Sequence, residues 1–363
     1  VSITIFDSDG NDVTDDTADA DVPESEAEAV VDRSAPVYEA DGSILLKLTF
    51  GGDFTIGENV QASGTSYFDK ELAKHNGDIN FLFDNYRDIL ADDDWTVLNF
   101  EGTLTTAGRN PDKTGNSFLF RADPAYASVL TDNGVECVSL ENNHVLDMGE
   151  EGLAETKQSL LAAGVSYYCE SEPLVFTLKG VKMGMLAYQT FDQYDRLYTK
   201  VPEDVKALKA QGCEVVVISI HWGAEKDYYP NDKQQKLAKL AVDAGADLIV
   251  GHHSHRINPI EEYNGKYIVY SLGNFCFAGN NKPDDMSTFV FQIKLRVKDG
   301  ECTNAGFIII PSRISSNAKY NDLIPTPYTK QENIESVLSV LKKNGQKLDN
   351  PVAEYPLSWA DSN

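Results

Sequence analysis

Basic side chains are scarce in this chain. Against 57 Asp and Glu there are 31 Lys and Arg, and the formal net charge is −26. Nucleic acid is thereby excluded as the main partner, because phosphate backbones are bound by Lys/Arg-rich surfaces. Cysteine is sparse as well. Cys137, Cys169, Cys213, Cys276 and Cys302 stand singly, with no C-x-x-C spacing. That count and length argue against a disulfide framework and for buried free thiols. No apolar run approaches the ~18–20 residues of a membrane span. There is no Walker loop, no dinucleotide glycine fingerprint and no Gly-x-Ser-x-Gly elbow, so those phosphate cradles and serine-nucleophile hydrolysis are set aside. Histidine is rare too, at six residues, but its placement is not scattered. His144, His221, His252, His253 and His255 fall in three short polar motifs, and only His75 lies elsewhere. Imidazoles with carboxylates and amides are the material of a transition-metal site.

The 363 residues, 42% of them hydrophobic, are enough for one large or two medium domains. Residues 1–43 hold 13 acids and one base, Arg33. Residues 1–36 read as an acidic tether, too poor in large apolar groups to offset chain entropy, although Val1–Phe6 alternates as a strand would. The chain begins at Val1 rather than Met, and a removed leader or a trimmed start is expected. Residues 37–315 read as the folded domain and 316–363 as an extension with a short helix at 333–343. A hairpin is expected around Asp41-Gly42.

From there one grammar repeats: apolar strand, polar motif, helix. Ile44–Phe50 runs into Gly51-Gly52-Asp53. Thr96–Phe100 runs into Glu101-Gly102, and Val135–Leu140 into Glu141-Asn-Asn-His144. Val215–Ile220 runs into His221-Trp-Gly, Leu248–Val250 into Gly251-His-His, and Tyr267–Leu272 into Gly273-Asn-Phe. Helices are expected at 124–133, 151–163 and 232–244, and antiparallel strands at 289–297 and 307–310. Alternating strands and helices indicate an α/β protein, whose ligands bind beyond the carboxyl ends of the strands. Every polar motif here sits at such an end.

The residue types at those ends suit metal chemistry. Asp53 can ligate a cation, and the glycines before it permit close backbone approach. Asn99 and Glu101 lie on one side of a strand end, where Glu101 can bridge two ions. Asn142, Asn143 and His144 place amides beside an imidazole able to give a proton to a leaving oxygen, with Asp147 positioned to orient it. His221 leaves the most apolar strand, with Glu225 either holding it or contacting substrate. His252, His253 and His255 follow a glycine and can face the same or adjacent ions. His75 reads as a solvated helix-end residue.

Together these residues resemble the bacterial capsule synthesis CapA family, the poly-γ-glutamate synthesis accessory proteins. The resemblance rests on Gly52-Asp53, Asn99-Phe-Glu101-Gly102, Val138 through Gly149, His221-Trp-Gly-Ala-Glu225, Asp243 through His255, and Tyr270-Ser-Leu-Gly-Asn274-Phe275. It covers roughly residues 44–280. That family in turn resembles the calcineurin-like metallophosphoesterases. The resemblance implies a four-layer α/β/β/α metallophosphatase-like sandwich and one or two Mn, Fe or Zn ions. It implies that Asp53 and His255 hold the first ion and that Glu101 bridges. It implies that Asn143 and His221 hold the second ion together with His252 or His253, and that His144 is the general acid. Asn99, Asn142, Glu225 and Asn274 fall to supporting or substrate-side roles. One position departs from the phosphatase pattern: their Asp-x-His reads Asp53-Phe-Thr55 here, which leaves either an open catalytic position or a weaker first site.

The expected function is a metal-dependent phosphatase-like hydrolase in capsule or poly-γ-glutamate biosynthesis. Its substrate is a phosphate ester or an anionic polymer, and its partners are capsule-synthesis membrane proteins. The alternative is a non-catalytic polymer-binding or export component. The expected location is the outer face of the cell membrane, anchored or secreted, with membrane contact only through a removed N-terminal anchor.

Overall fold

Strand side chains alternate between two faces, and here both faces are apolar. On Val215–His221, Val215 and Val217 point one way and Val216, Ile218 and Ile220 the other, and all are buried. Such a strand needs a layer on each side. The computed structural model describes Thr4, Ile5 and residues 35–113, 118–191 and 193–359. The tether expected over residues 1–36 lies almost wholly outside them, although Thr4–Ile5 pairs antiparallel with Leu174–Val175.

Among the described residues, two large sheets form. The first runs Thr326–Pro327, Glu301–Arg313, Ser287–Lys298, Ile44–Thr55, Trp95–Phe100, Cys137–Ser139 and Ser166–Tyr168, with Asn274–Phe277 also paired to Ile44–Thr55. The second runs Thr4–Ile5, Leu174–Leu178, Val181–Gln189, Val215–His221, Leu248–His252, Lys266–Val269 and Ile260–Tyr263. The strands that end in polar motifs pair in parallel within their own sheet.

The apolar clusters define the layers. Leu46, Leu48, Phe50 and Val97 of the first sheet meet Met183, Met185, Val215 and Val217 of the second in one inner core. Outside the first sheet, Phe54, Leu98 and Val138 pack against helices Tyr67–Lys74 and Gly149–Ala162 through Phe68, Leu72 and Leu160. Outside the second, Val216, Ile218 and Ile220 meet helices Tyr194–Ala210 and Asp232–Asp243 through Leu197, Val201, Leu237 and Ala241. The architecture is therefore the α/β/β/α sandwich. The helix Asp232–Asp243 shows the local logic: Asn231 caps it, accepting from the amides of Lys233 and Gln234, while Leu237, Ala238, Ala241 and Val242 form its buried stripe.

Three local expectations change. The hairpin at Asp41-Gly42 shrinks to a single Tyr38–Ile44 bridge, because the strand beginning at Ile44 already pairs with Ser287–Lys298 and, from Leu48 on, with Trp95–Phe100. The helix expected over 124–133 divides into two short turns, Pro124–Ala127 and Ser128–Thr131. The C-terminal helix extends over Gln331–Gly345, and its Val337 and Leu341 join the inner core. All five cysteines are free thiols, four of them buried. No helix among the described residues is long and apolar enough to cross a membrane.

Candidate metal centre

Parallel register brings distant motifs side by side. In the first sheet Asp53 is opposite Asn99 on one flank and Asn274 on the other. In the second, His221 is opposite His252. Both rows reach the same end of the sandwich, so acids and amides from one sheet face imidazoles from the other.

The glycines before Asp53 and His252 make room. A Cβ on Gly52 would lie 2.0 Å from the carbonyl oxygen of Gly273, which accepts the Asp53 amide at 3.1 Å. A Cβ on Gly251 would lie 2.0 Å from the Tyr270 carbonyl oxygen, which the Trp222 indole also contacts. Gly52→Ala must push strand Asn274–Phe277 away from Asp53. The expected cost is ~2–3 kcal/mol of folding stability, read from urea unfolding, with loss of metal affinity in whatever protein folds.

Asp53 is fully buried. Asn99 donates to its Oδ1 at 2.8 Å, and the ring nitrogens of His252 and His255 lie 3.4 Å from its two oxygens. Burial opposes its ionisation, but the two imidazoles outweigh burial and hold the carboxyl well below its usual range. His255 shows the reciprocal effect. Burial works against its charge, yet Glu101 and Asp53 raise it to about 10. Asn274 accepts from His255 Nδ1 at 2.7 Å and fixes the ring. Ligand atoms of Asp53, Glu101 and His255 all lie within 4.8 Å of one another.

Glu101 is the odd group. It is fully buried and neither carboxylate oxygen has a hydrogen-bond partner. Burial, and then the neighbouring Asp53, push its acid well above the usual range. The Nε2 atoms of His144 and His221 each stand 3.8 Å from Oε1. His221 Nε2, His252 Nδ1, His253 Nδ1 and Asn143 Oδ1 are likewise buried without partners. Burial, and next the nearby His253, hold His221 well below the usual imidazole range, and burial with His255 lowers His253 to about 4. Buried acceptors are ordinarily satisfied. A run of unpartnered imidazole nitrogens, an amide oxygen and a carboxylate without donors is the donor set of a borderline divalent cation, so these residues fit such an ion. One contact opposes it. A lone pair on His221 Nε2 places the proton on Nδ1, which faces the Asn99 amide nitrogen at 3.3 Å.

His144 stands at the rim with its Nδ1 2.7 Å from Asp147 Oδ2. Asp147 also accepts from the Phe120 amide at 2.6 Å and from Lys113 Nζ at 2.5 Å. Lys113 further donates to the Asn143 carbonyl oxygen. Asn142 donates to Asn99 Oδ1 and the Phe100 carbonyl oxygen, and accepts the His144 amide. The structure thus gathers Asp53, Asn99, Asn142, His144, Asp147, His221, His252, His255 and Asn274 around the unpartnered Glu101. His253 joins through its ring, 4.5 Å from that of His221, at a positive φ of 91°. Glu225 is exposed, and it is Asn99 that meets the second nitrogen of His221. The reading in which Glu225 holds His221 is therefore corrected: Gly223 and Lys226 take positive φ, so the segment turns outward. His75 caps helix Tyr67–Lys74 and stacks on Phe81 at 4.1 Å, away from the cluster.

Sequence reasoning missed Lys113 and Phe191. Lys113 sits in a polar loop with no periodic signal. Phe191, whose ring lies 5.2 Å from that of His253, follows strand Val181–Gln189. The strand-then-motif rule applied to that strand would have found it.

Two packed sheets with outer helices, and a His, Asn and carboxylate cluster at their shared strand ends, define an α/β/β/α sandwich with a candidate metal centre. The chain belongs to the bacterial capsule synthesis protein PGA_cap family, which matches residues 47–279. It is 30% identical over 270 residues to the PGA biosynthesis protein CapA of Bacillus subtilis, covering 69% of this chain and 68% of that protein. It is 29% identical over 266 residues to the capsule biosynthesis protein CapA of Bacillus anthracis, covering 67% of this chain and 62% of that one. Among solved structures, a calcineurin-like phosphoesterase, YfkN from Bacillus subtilis, aligns over 83% of this chain and 99% of its own at 16% identity, with a TM-score of 0.43.

Proposed function

We propose that this protein is a metal-dependent hydrolase of phosphate esters that serves capsule or poly-γ-glutamate assembly. The observation that carries the reading is Glu101, a buried carboxylate with no donor, facing the Nε2 atoms of His144 and His221. Asp53, Glu101 and His255 would hold one ion. His221, His252 or His253, and Asn143 would hold a second beside Glu101. Manganese, iron and zinc suit this mixture of imidazole, amide and carboxylate. A divalent ion bound here supplies Lewis-acid polarisation of a phosphoryl oxygen and an acidified water.

The chain's own residues do the rest. Asp147 fixes the His144 ring through Nδ1 and leaves Nε2 turned toward Glu101, where it can give a proton to the leaving oxygen. Lys113 and the Phe120 amide hold Asp147 from the other side. Asn99 ties Asp53 to Asn142, which keeps the two strand ends in register. Hydrolysis of an aryl phosphate by manganese- or zinc-loaded protein tests this. Activity lost on chelation and restored by metal is expected. Loaded, folded protein that cleaves no phosphate ester would sink the hydrolytic reading.

We further place the protein at the outer face of the cell membrane with the capsule machinery. The support is its family and the acidic composition of residues 1–36. Protease added to intact cells should remove it, and resistance until lysis would contradict that placement.

A further inference from the structure

A cleft of about 530 Å³ opens beside the metal centre, within the size range of small-molecule sites. It is tied to the centre by backbone and by ring contact. The Thr190 amide donates to the His221 carbonyl oxygen at 3.1 Å, and the Phe191 ring lies 5.2 Å from His253 and 6.4 Å from His221. Phe191 is nevertheless 44% exposed, so one face of an aromatic ring is presented to the cleft. On the inner wall Tyr194 is only 8% exposed, and its hydroxyl lies beside Thr190 and Gly223 without a completed hydrogen bond. The remaining wall is the start of helix Asp232–Asp243.

The walls carry one charged group of each sign, Asp232 and Lys233. The Asn231 side chain already caps the helix amides of Lys233 and Gln234, and Asp232 places a carboxylate at that end. Lys233 is drawn over the Tyr194 ring at 5.6 Å, so its charge is partly engaged. What is left is an aromatic face, a buried hydroxyl and amide or hydroxyl groups with no net charge. A neutral ring with apolar C–H faces and hydroxyl edges meets all three.

We propose that this cleft is the subsite for the organic part of the phosphate ester, and that it takes a hydroxylated sugar ring stacked on Phe191 with a hydroxyl bonded to Tyr194. The inference rests on the hydrolytic reading of the adjoining centre for its orientation. Sugar phosphate then binds with phosphate toward Glu101 and His144 and sugar toward Tyr194.

Calorimetric titration of the full, manganese-loaded chain with hexose phosphate, methyl phosphate and adenosine monophosphate tests it, on a His144→Ala background that keeps the ligands intact. Hexose phosphate is expected to bind about tenfold more tightly than methyl phosphate, a margin one aromatic stacking contact can supply. Phe191→Ala should remove that margin and Tyr194→Phe should reduce it, while Phe191→Tyr should keep it. Thermal melts identify any variant that fails to fold. Equal binding of hexose and methyl phosphate overturns the proposal, as does a margin that survives Phe191→Ala or adenosine monophosphate binding as tightly as the sugar ester. Turnover is scored separately with His144 present. A sugar margin in binding without hydrolysis of any ester keeps the subsite and rejects the hydrolytic reading.

Discussion

Glu101→Gln should stabilise the metal-free protein and abolish tight metal binding. The two effects have one cause. Glu101 is buried beside Asp53 and the imidazoles of His144, His221 and His255, with no hydrogen-bond donor to either oxygen. An unsatisfied buried polar group costs ~1–3 kcal/mol, more when charged. Because its folded acid is raised far above the unfolded value, the cost is absent below the usual Glu range and grows as pH rises toward the folded value. Glutamine has the same shape and cannot ionise. The gain in metal-free melting temperature should therefore be a few degrees at pH ~8 and smaller at pH ~5. With metal present the order reverses: the wild-type chain gains stability from the ion and the variant does not. A variant that is less stable without metal, or that binds metal as wild type does, would show that Glu101 is not a ligand.

His144→Ala should leave metal content intact and lower kcat. The His144 ring faces the candidate ligand Glu101 through Nε2, at 3.8 Å, and its other nitrogen is committed to Asp147. General-acid catalysis contributes ~10²–10⁴-fold. The loss should be at the upper end for alkyl phosphates, whose leaving oxygen needs a proton. It should be small for nitrophenyl phosphate, whose leaving group departs as the anion. Asp147→Asn should follow the same pattern more weakly, since it frees the ring without removing it. Equal losses on both esters would contradict a proton-donating role for His144, and loss of metal would make His144 a ligand instead.

The α/β class was legible because apolar strands, polar motifs and helices alternate, whereas the two-sheet sandwich was implied by the resemblance to the CapA family. The parallel register then converts sequence motifs into neighbours: Asp53 beside Asn99, and His221 beside His252. What stayed hidden depended on loops. His221 and Glu225 are spaced as on one turn of a helix, but the chain turns at Gly223 and Lys226 and leaves Glu225 in solvent. Lys113 reaches Asp147 across 34 positions from a loop with no pattern of its own. The different surroundings of His252 and His253 also needed coordinates. The strand ends at His252, and His253 swings to positive φ, so the two rings address different neighbours, Asp53 and His221. Thr55, where a histidine would stand in the phosphatase pattern, is buried with its hydroxyl unpartnered.

The most direct measurement is elemental analysis of the chain prepared without chelator, loaded with manganese or zinc and passed through gel filtration. At least one ion per chain should remain bound. Asp53→Ala and Glu101→Gln should lower that value while the fold persists by circular dichroism. A folded wild-type chain that retains no divalent metal after loading would contradict the account at its centre.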